Sequence, residues 1–322
     1  MKNLPVVLTC GEPTGIGAEL AHKAWYSLRH EISFFWIGDP KCLNQDQPYK
    51  VISQPLDAIH IMPDALPVLE HPFEQKVQLG SPNEANAKSV VQVIEKAVNL
   101  IKDKQASSLC TLPIHKQILK DGANFQFPGH TEFLASLTDV DHVVMLLTGP
   151  NLKVVPATIH IPLRDVPDTL NANDLEKTIT ITRKALVEKF SILDPRISIA
   201  GLNPHAGETG KFGKEEMTII TPVIEKLRAK QWKVTGPHSA DSMFYKKART
   251  KYDVAIAMYH DQALIPIKTL DFDTSVNVTL GLPFVRTSPD HGTALDIAGK
   301  AMANPTSTIE ALRLAARLSE PK

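Results

Sequence analysis

Three histidines are the residues best suited to chemistry, because each follows a short apolar stretch of the chain. His160, His205 and His260 come after residues 154–159, 197–202 and 254–258, and each stretch is typical of a buried strand. Ligands of open α/β sheets bind at the carboxyl ends of strands, so three such imidazoles could converge on one point. Three neutral imidazoles that leave open positions are typical of a catalytic metal site. Any one of them alone would more often have a packing or surface role.

Two aspartates lie close in sequence to these histidines or to similar loops. Asp261 directly follows His260, and Asp241 lies in the His-Ser-Ala-Asp segment at 238–241. Carboxylates that accept a hydrogen bond from a ligating imidazole fix its orientation. Both aspartates are therefore candidate partners of metal ligands, and a solvated loop position explains them equally well.

A third group of residues offers cations and hydrogen-bond donors at or near predicted strand ends: Lys116, His130, Thr131, Lys268, Asn277 and Arg286. Such side chains suit phosphate or carboxylate groups, although each alone is more often a solvated surface residue. Lys268 follows His260 in the same segment and could reach the same centre. A divalent cation nearby would disfavour the charged amine, which suits a general base. His260 and Lys268 are thus the candidate catalytic residues.

The glycines from Gly11 to Gly17 form a turn between a predicted strand and a predicted helix. A helix N-terminus behind such a turn can bind an anion. The spacing Gly-x-x-x-Gly-x-Gly differs, however, from both the dinucleotide fingerprint and the phosphate-binding loop. Tight turning alone would also explain these glycines.

The elements that must position these residues alternate between strands and helices. Strands are predicted near 6–9, 33–38, 108–112, 143–147, 154–157, 196–201, 232–235, 254–258 and 275–280. Helices are predicted to end near residue 28 and to cover 83–102, 131–137, 173–190, 215–229, 242–250, 293–301 and 307–318. Asn173 is the predicted N-cap of its helix. This order, with strands apolar on both faces, predicts an α/β fold with a largely parallel sheet.

The length of 322 residues allows two domains. The loops around residues 125–129 and 281–283 are the best crossing points between them. We therefore expect a first α/β domain of residues 1–127 plus 284–322, which contains both termini. The second α/β domain, residues 128–283, would carry most metal and substrate residues.

Composition excludes several classes of protein. Basic and acidic residues both number 35, which argues against a general nucleic-acid or membrane-surface binder. Three widely spaced cysteines form neither a disulfide framework nor a Cys-x-x-Cys zinc site. Residues 1–5 lead straight into a strand instead of a signal sequence, and no stretch is long enough to span a membrane. A cytoplasmic protein is expected.

Five segments together resemble one known family. They read Pro-Gly-His-Thr-Glu at 128–132, Leu-Asn-Pro-His-Ala-Gly-Glu at 202–208, Gly-Pro-His-Ser-Ala-Asp at 236–241, Tyr-His-Asp-Gln at 259–262 and Arg-Thr-Ser-Pro-Asp-His-Gly-Thr at 286–293. Their order and spacing are similar to those of the 4-hydroxythreonine-4-phosphate dehydrogenase (PdxA) family. The resemblance covers nearly the whole chain, and the combination is highly specific.

The resemblance implies an isocitrate/isopropylmalate-dehydrogenase-like fold of two α/β/α domains with the site in the cleft between them, and a homodimer. It implies oxidation of 4-phosphohydroxy-L-threonine by NAD or NADP, after which the product loses CO2 to give 3-amino-2-oxopropyl phosphate in pyridoxine biosynthesis. By matching motif, His160, His205 and His260 would bind a divalent zinc, magnesium or cobalt ion shared across the dimer. The implied substrate residues are His130, Thr131, Lys268, Asn277 and Arg286.

The first turn departs from the pattern of the family. Glu12 and Ala18 stand where the family usually has aspartate and proline. Neither change affects the residues assigned above, but related branches oxidise other phosphorylated or cyclic hydroxy acids. The alternatives are therefore such a related dehydrogenase, a three-histidine metallohydrolase and a non-catalytic ligand-binding α/β protein.

Overall fold

The structure is a computed structural model that describes residues 4–320. Residues 1–3, part of the segment predicted not to be a signal sequence, lie outside the described residues. The strands are β1 Val6–Thr9, β2 Phe34–Gly38, β3 Tyr49–Ile52, β4 Leu66–Glu70, β5 Leu109–Thr111, β6 Val144–Thr148, β7 Lys153–Pro156, β8 Ile197–Ala200, β9 Val234–His238, β10 Val254–Ala257, β11 Val276–Leu280 and β12 Arg286–Pro289. The helices are α1 Gly17–Leu28, α2 Ala58–Ile61, α3 Ala87–Lys102, α4 Lys116–Ala123, α5 His130–Leu137, α6 Val166–Thr169, α7 Ala172–Glu188, α8 Thr221–Ala229, α9 Lys246–Arg249, α10 His260–Asp271 and α11 Thr306–Ser319.

The chain divides into two compact units, of which the first consists of Met1–Asp141 and Leu282–Lys322. Its strands follow the order β3-β4-β2-β1-β5-β12, and every pair is parallel. Both β1 and β2 are buried along their whole length. Burial on both faces explains why these strands are apolar without alternation, as the sequence predicted.

The second unit is His142–Gly281. Its strands follow the order β11-β6-β7-β10-β8-β9. The pairs β11–β6 and β6–β7 are antiparallel, whereas β7–β10, β10–β8 and β8–β9 are parallel. Leu147, Val154, Ala255, Met243 and Ile267 belong to its buried core. The three strands that precede His160, His260 and His205 are thus parallel neighbours, with β10 in the middle.

The boundaries of the units differ from those expected at residues 127 and 284. The first unit extends through α5 to Asp141. The reason is an aromatic cluster, in which the Phe133 ring of α5 lies 5.0 Å from the ring of Phe125 and 5.1 Å from that of Phe127, centroid to centroid. His130 and Thr131 consequently lie in the first unit, although the second was expected to contain them.

Several predicted elements were wrong in their limits. Only Lys246–Arg249 is α-helical within 242–250, and only a short 3₁₀ turn, Leu295–Ile297, forms within 293–301. The N-cap of α7 is Asn171 instead of Asn173, because the Asn171 side chain accepts a hydrogen bond from the backbone N–H of Asp174 at 2.9 Å. Helix α10 was not predicted at all, and Pro266 lies inside it.

No helix among residues 4–320 has the length and apolar character needed to cross a membrane.

Candidate active site

His160 and His260 face each other in the second unit. Their ring centroids lie 5.8 Å apart, and both line a cavity of about 310 Å³ together with Thr158, Leu163 and Tyr259. Strand β10 ends at Ala257, and the extended backbone of Tyr259, the N-cap of α10, places His260 at the first position of that helix. The two histidines come together because they follow neighbouring strands, β7 and β10.

The His260 ring is oriented by the aspartate that follows it. Nδ1 of His260 and Oδ1 of Asp261 lie 2.7 Å apart. An imidazole held through one nitrogen by a carboxylate presents the other nitrogen to a metal, so this pair fits a divalent-metal ligand. Asp241, the other candidate, accepts a hydrogen bond from the Ser239 hydroxyl at 2.6 Å instead.

His205 begins a turn in the left-handed region of backbone space. From His205 to Thr209 the φ angles are 53°, 51°, 78°, 39° and 57°, and the His205 ring lies 6.1 Å from that of Phe212. In the part of the chain that the structure describes, no three His, Cys, Asp or Glu side chains form a group that could hold a metal. The pair of His160 and His260 is observed, whereas the three-histidine centre stays a prediction.

Two of these histidines have an uncommon backbone conformation. φ is +50° at His160 and +53° at His205. Residues with side chains adopt this region rarely and at a cost of free energy, and such residues concentrate at functional sites. The strain therefore supports a role for both histidines beyond packing.

A buried glutamate holds the turn that contains His205. Glu216 is 3% exposed and lies in a π-helical turn, Glu216–Ile220, that precedes α8. Its carboxylate accepts hydrogen bonds from the Asn203 backbone N–H at 2.7 Å and from the Asn203 side-chain amide at 2.9 Å. π-Helical turns occur often at functional sites. Glu216 was not among the predicted residues, because nothing in the local sequence marks it as buried.

Arg286 is a buried cation of the first unit. It is 3% exposed, and its Nη2 and Nε atoms lie 2.7 and 3.2 Å from the hydroxyl oxygen of Thr111. Burial lowers the pKa of the guanidinium to about 10, so the side chain stays charged at neutral pH. A buried cation that a hydroxyl group orients is suited to bind an anionic ligand.

His130 lies at the start of α5 in the same unit. Burial, followed by the charges of Arg286 and Lys116, holds its pKa well below the usual 6.5, so the imidazole is neutral. Its Nε2 atom is buried and has no hydrogen-bond partner. His130 and Thr131 are the first two residues of α5, where backbone N–H groups point out of the helix and favour an anion. Of the predicted residues, His130 and Arg286 are therefore close enough for the charge of Arg286 to lower the pKa of His130, and Thr131 follows His130 in α5.

Lys268 and Asn277 lie in the second unit. Lys268 is on α10, eight positions after His260, and its Nζ atom lies 5.7 Å from the centroid of the Phe272 ring. Asn277 is on β11, and its buried Oδ1 atom has no hydrogen-bond partner. A buried acceptor without a partner is costly and is typical of a position that a ligand fills.

Packing explains the glycines of the first turn. A Cβ atom on Gly17 would lie 2.3 Å from the Cys10 carbonyl oxygen, and one on Gly15 would lie 2.6 Å from that of Thr293. Glu12 accepts hydrogen bonds from the Thr14 N–H at 3.1 Å and from the Thr14 hydroxyl at 2.7 Å. The turn is therefore closed by its own carboxylate, and Glu12 performs this role where the family usually has aspartate.

The chain matches the family described as "Pyridoxal phosphate biosynthetic protein PdxA" over residues 30–315. A relative named 4-hydroxythreonine-4-phosphate dehydrogenase, from Ruegeria sp. (strain TM1040), is 53% identical and aligns with 98% of this chain and 97% of its own. A crystal structure with the same name, from Klebsiella pneumoniae, is 34% identical with a TM-score of 0.88 and covers 99% of both chains. The structure of a terephthalate 1,2-cis-dihydrodioldehydrogenase from Burkholderia xenovorans LB400 is 26% identical with a TM-score of 0.68 and covers 98% of both. The chain is a member of the PdxA family.

Proposed function

We propose that the protein is a 4-hydroxythreonine-4-phosphate dehydrogenase that depends on a divalent metal and on NAD or NADP. It would oxidise 4-phosphohydroxy-L-threonine to 2-amino-3-oxo-4-phosphooxybutanoate, with hydride passing to the dinucleotide. This β-keto acid then loses CO2 to give 3-amino-2-oxopropyl phosphate, a step of pyridoxine biosynthesis. The paired imidazoles of His160 and His260 in a member of the PdxA family are the observation that carries the proposal.

His160, His205 and His260 are the proposed ligands of a zinc, magnesium or cobalt ion. When bound, such an ion supplies Lewis acidity at the hydroxyl and later at the carbonyl oxygen of the substrate. The Asp261 carboxylate keeps His260 in the ligating orientation. The ion is proposed to be shared across a homodimer, so that the two subunits together complete its coordination.

Exposed apolar residues in the second unit also favour a homodimer. Leu163, which lines the histidine cavity, is 67% exposed, and Phe272 next to the α10 helix is 69% exposed. Large exposed apolar side chains beside a cavity are typical of an interaction surface. The proposed location is the cytoplasm, which agrees with three free cysteines.

His130, Thr131 and Arg286 are the proposed ligands of anionic groups of the substrate. The Arg286 guanidinium keeps its charge and is held by Thr111, while neutral His130 adds a hydrogen bond without a second positive charge. Lys268 and Asn277 complete the proposed substrate set. Lys268 is also the proposed base, which would accept the proton of the hydroxyl group as hydride leaves the same carbon.

The activity is tested with purified protein, 4-phosphohydroxy-L-threonine, a divalent metal and either NAD or NADP. Absorbance at the NADH band should rise, and product analysis should show CO2 and 3-amino-2-oxopropyl phosphate. A protein without His160 and His260 (both changed to alanine) should bind less metal and lose activity. His30→Ala, at an exposed position of the first unit, is the matched control. Absence of reduction with both dinucleotides would refute this substrate.

A related dehydrogenase for another phosphorylated or cyclic hydroxy acid is the second candidate. The likeness to the terephthalate dihydrodiol dehydrogenase, whose chain is covered to 98%, favours it over a metallohydrolase. A panel of such hydroxy acids separates the two dehydrogenase functions by which compound reduces the dinucleotide. Metal-dependent hydrolysis of a phosphate ester without dinucleotide reduction would instead identify a hydrolase.

A further inference from the structure

The backbone of Met258 links the exits of three neighbouring strands. On the side of β7, backbone hydrogen bonds between the two chain segments continue beyond the ends of the strands. The Ala157 N–H donates to the Ala257 carbonyl at 2.7 Å, and the Met258 carbonyl accepts from both the N–H and the hydroxyl of Thr158, at 3.2 and 2.8 Å. The exit of β7, which leads to His160, is thus fixed directly to the exit of β10.

On the other side, toward β8, a side chain replaces the direct bonding. The last paired residues of β10 and β8 are Ile256 and Ile199, and extending this register by two residues sets Met258 opposite Gly201. Between them lies the carboxamide of Gln262. Its Oε1 accepts from the Met258 N–H at 2.6 Å, and its Nε2 donates to the Gly201 carbonyl at 2.9 Å. The Gln262 amide therefore connects the ends of β10 and β8 and keeps them one carboxamide group apart.

Both ends of this bridge lead to a proposed metal ligand. Gln262 lies in the first turn of α10, whose first residue is His260. At the other end, Gly201 packs against the turn that contains His205, because a Cβ on Gly201 would lie 2.8 Å from the Ala206 Cα atom. A shift of the bridge would therefore move His260 relative to the turn of His205.

We propose that Gln262 is a positioning residue that sets the separation between the His260 and His205 segments. The inference rests on the proposed function, in which both histidines bind the metal. Gln262 itself ligates nothing in this scheme. If so, a change of Gln262 should lower metal affinity only when His205 is present. A glutamine that only stabilises the fold would have the same effect on metal affinity with or without His205.

The test is a double-mutant cycle read by zinc affinity, with Zn²⁺ titrated into the metal-free full-length protein against a chelating dye. Gln262→Met keeps the side-chain length but removes both hydrogen bonds, and it should weaken zinc binding about 10–100-fold, as loss of a group that orients ligands does. In a His205→Ala background the same change should have little further effect, because the position of an absent ligand cannot matter. Gln117→Met is the control, since Gln117 is exposed and bonds only Asp121 within its own helix.

Circular dichroism establishes that each variant is folded. If the methionine variant does not fold, Gln262→Asn, which keeps the amide one methylene shorter, takes its place and should give a smaller loss. Equal weakening with and without His205 would overturn the positioning role, as would unchanged affinity in the Gln262 variant. If His205→Ala alone leaves zinc affinity unchanged, His205 is not a metal ligand. That result would contradict the proposed metal centre and, with it, the positioning role of Gln262.

Discussion

The Glu216 carboxylate holds Asn203 by two hydrogen bonds, one to its backbone N–H at 2.7 Å and one to its side-chain amide at 2.9 Å. In Glu216→Gln, the new NH2 group would face one of the two Asn203 donors, whichever way the amide is turned. We expect the free energy of unfolding to fall by about 1–3 kcal/mol, the cost of a buried group without its partner. Urea denaturation measures it.

The matched control for this change is Glu215→Gln. Glu215 also accepts a bond from the Asn203 amide, at 2.7 Å, but it is only half-buried. Its loss should be smaller because water can replace the bond. An equal loss in both variants would contradict a special role for Glu216.

Asp261 should influence the metal without binding it. Asp261→Asn keeps the shape of the side chain but weakens its hold on Nδ1 of His260, now 2.7 Å away. Loss of a group that orients a metal ligand typically weakens metal binding about 10–100-fold. Because the Asp261 side chain is 70% exposed, we expect the lower end of this range, roughly a tenfold loss of zinc affinity. Calorimetric titration measures it. Asp241→Asn, at a carboxylate that accepts a hydrogen bond from Ser239, should leave the affinity unchanged; a loss there as large as at Asp261 would show a general charge effect.

Arg286 should not tolerate lysine. The guanidinium places two nitrogens at the Thr111 hydroxyl, and a lysine ammonium cannot reproduce this orientation. We expect kcat/KM for the phosphorylated substrate to fall about 10–100-fold, which corresponds to one hydrogen bond to a charged group. Arg313→Lys, at a site 41% exposed, is the surface control. Steady-state kinetics that show the same values for both variants would remove Arg286 from the substrate set.

His130 should make stability depend on pH. Burial keeps its pKa in the folded protein well below 6.5, so the unfolded chain takes up a proton first as pH falls. The unfolded state then binds more protons, and stability decreases below about pH 6.5 with a slope of at most about 1.4 kcal/mol per pH unit from this group. His130→Asn should flatten the fall between pH 7.5 and 5.5 in urea titrations. An unchanged slope would indicate that His130 is protonated in the folded protein.

Local patterns predicted most strands and the longer helices within a few residues, because buried strands and amphipathic helices such as α3 have strong periodicity. Helix α10 was missed, and it contains Pro266, a residue that disfavours the interior of a helix. A spacing of four between Ala263, Ile267 and Asp271, all buried, was the available signal. The helix forms in spite of Pro266, because it packs against β7 and β10.

A meeting of histidines was predictable from their positions after strands, since strand ends in a parallel sheet lie at one edge, but which of the three would pair was not. The order β7-β10-β8 was not predictable, because it joins strands that are distant in the chain. For the same reason the contacts of Gln262 and Glu216 were not predicted. Each matters only through partners such as Gly201 and Asn203, which the fold brings near.

The left-handed turn from His205 to Thr209 has a consequence for attempts to engineer the protein. Four of its five residues carry side chains in a region that suits glycine, at a cost of about 1 kcal/mol or more each. Ala206→Gly should therefore raise the melting temperature, as differential scanning calorimetry would show, while it loosens the turn beside His205. A search for heat-stable variants would favour glycine there, and it would select against the rigidity that a metal ligand needs.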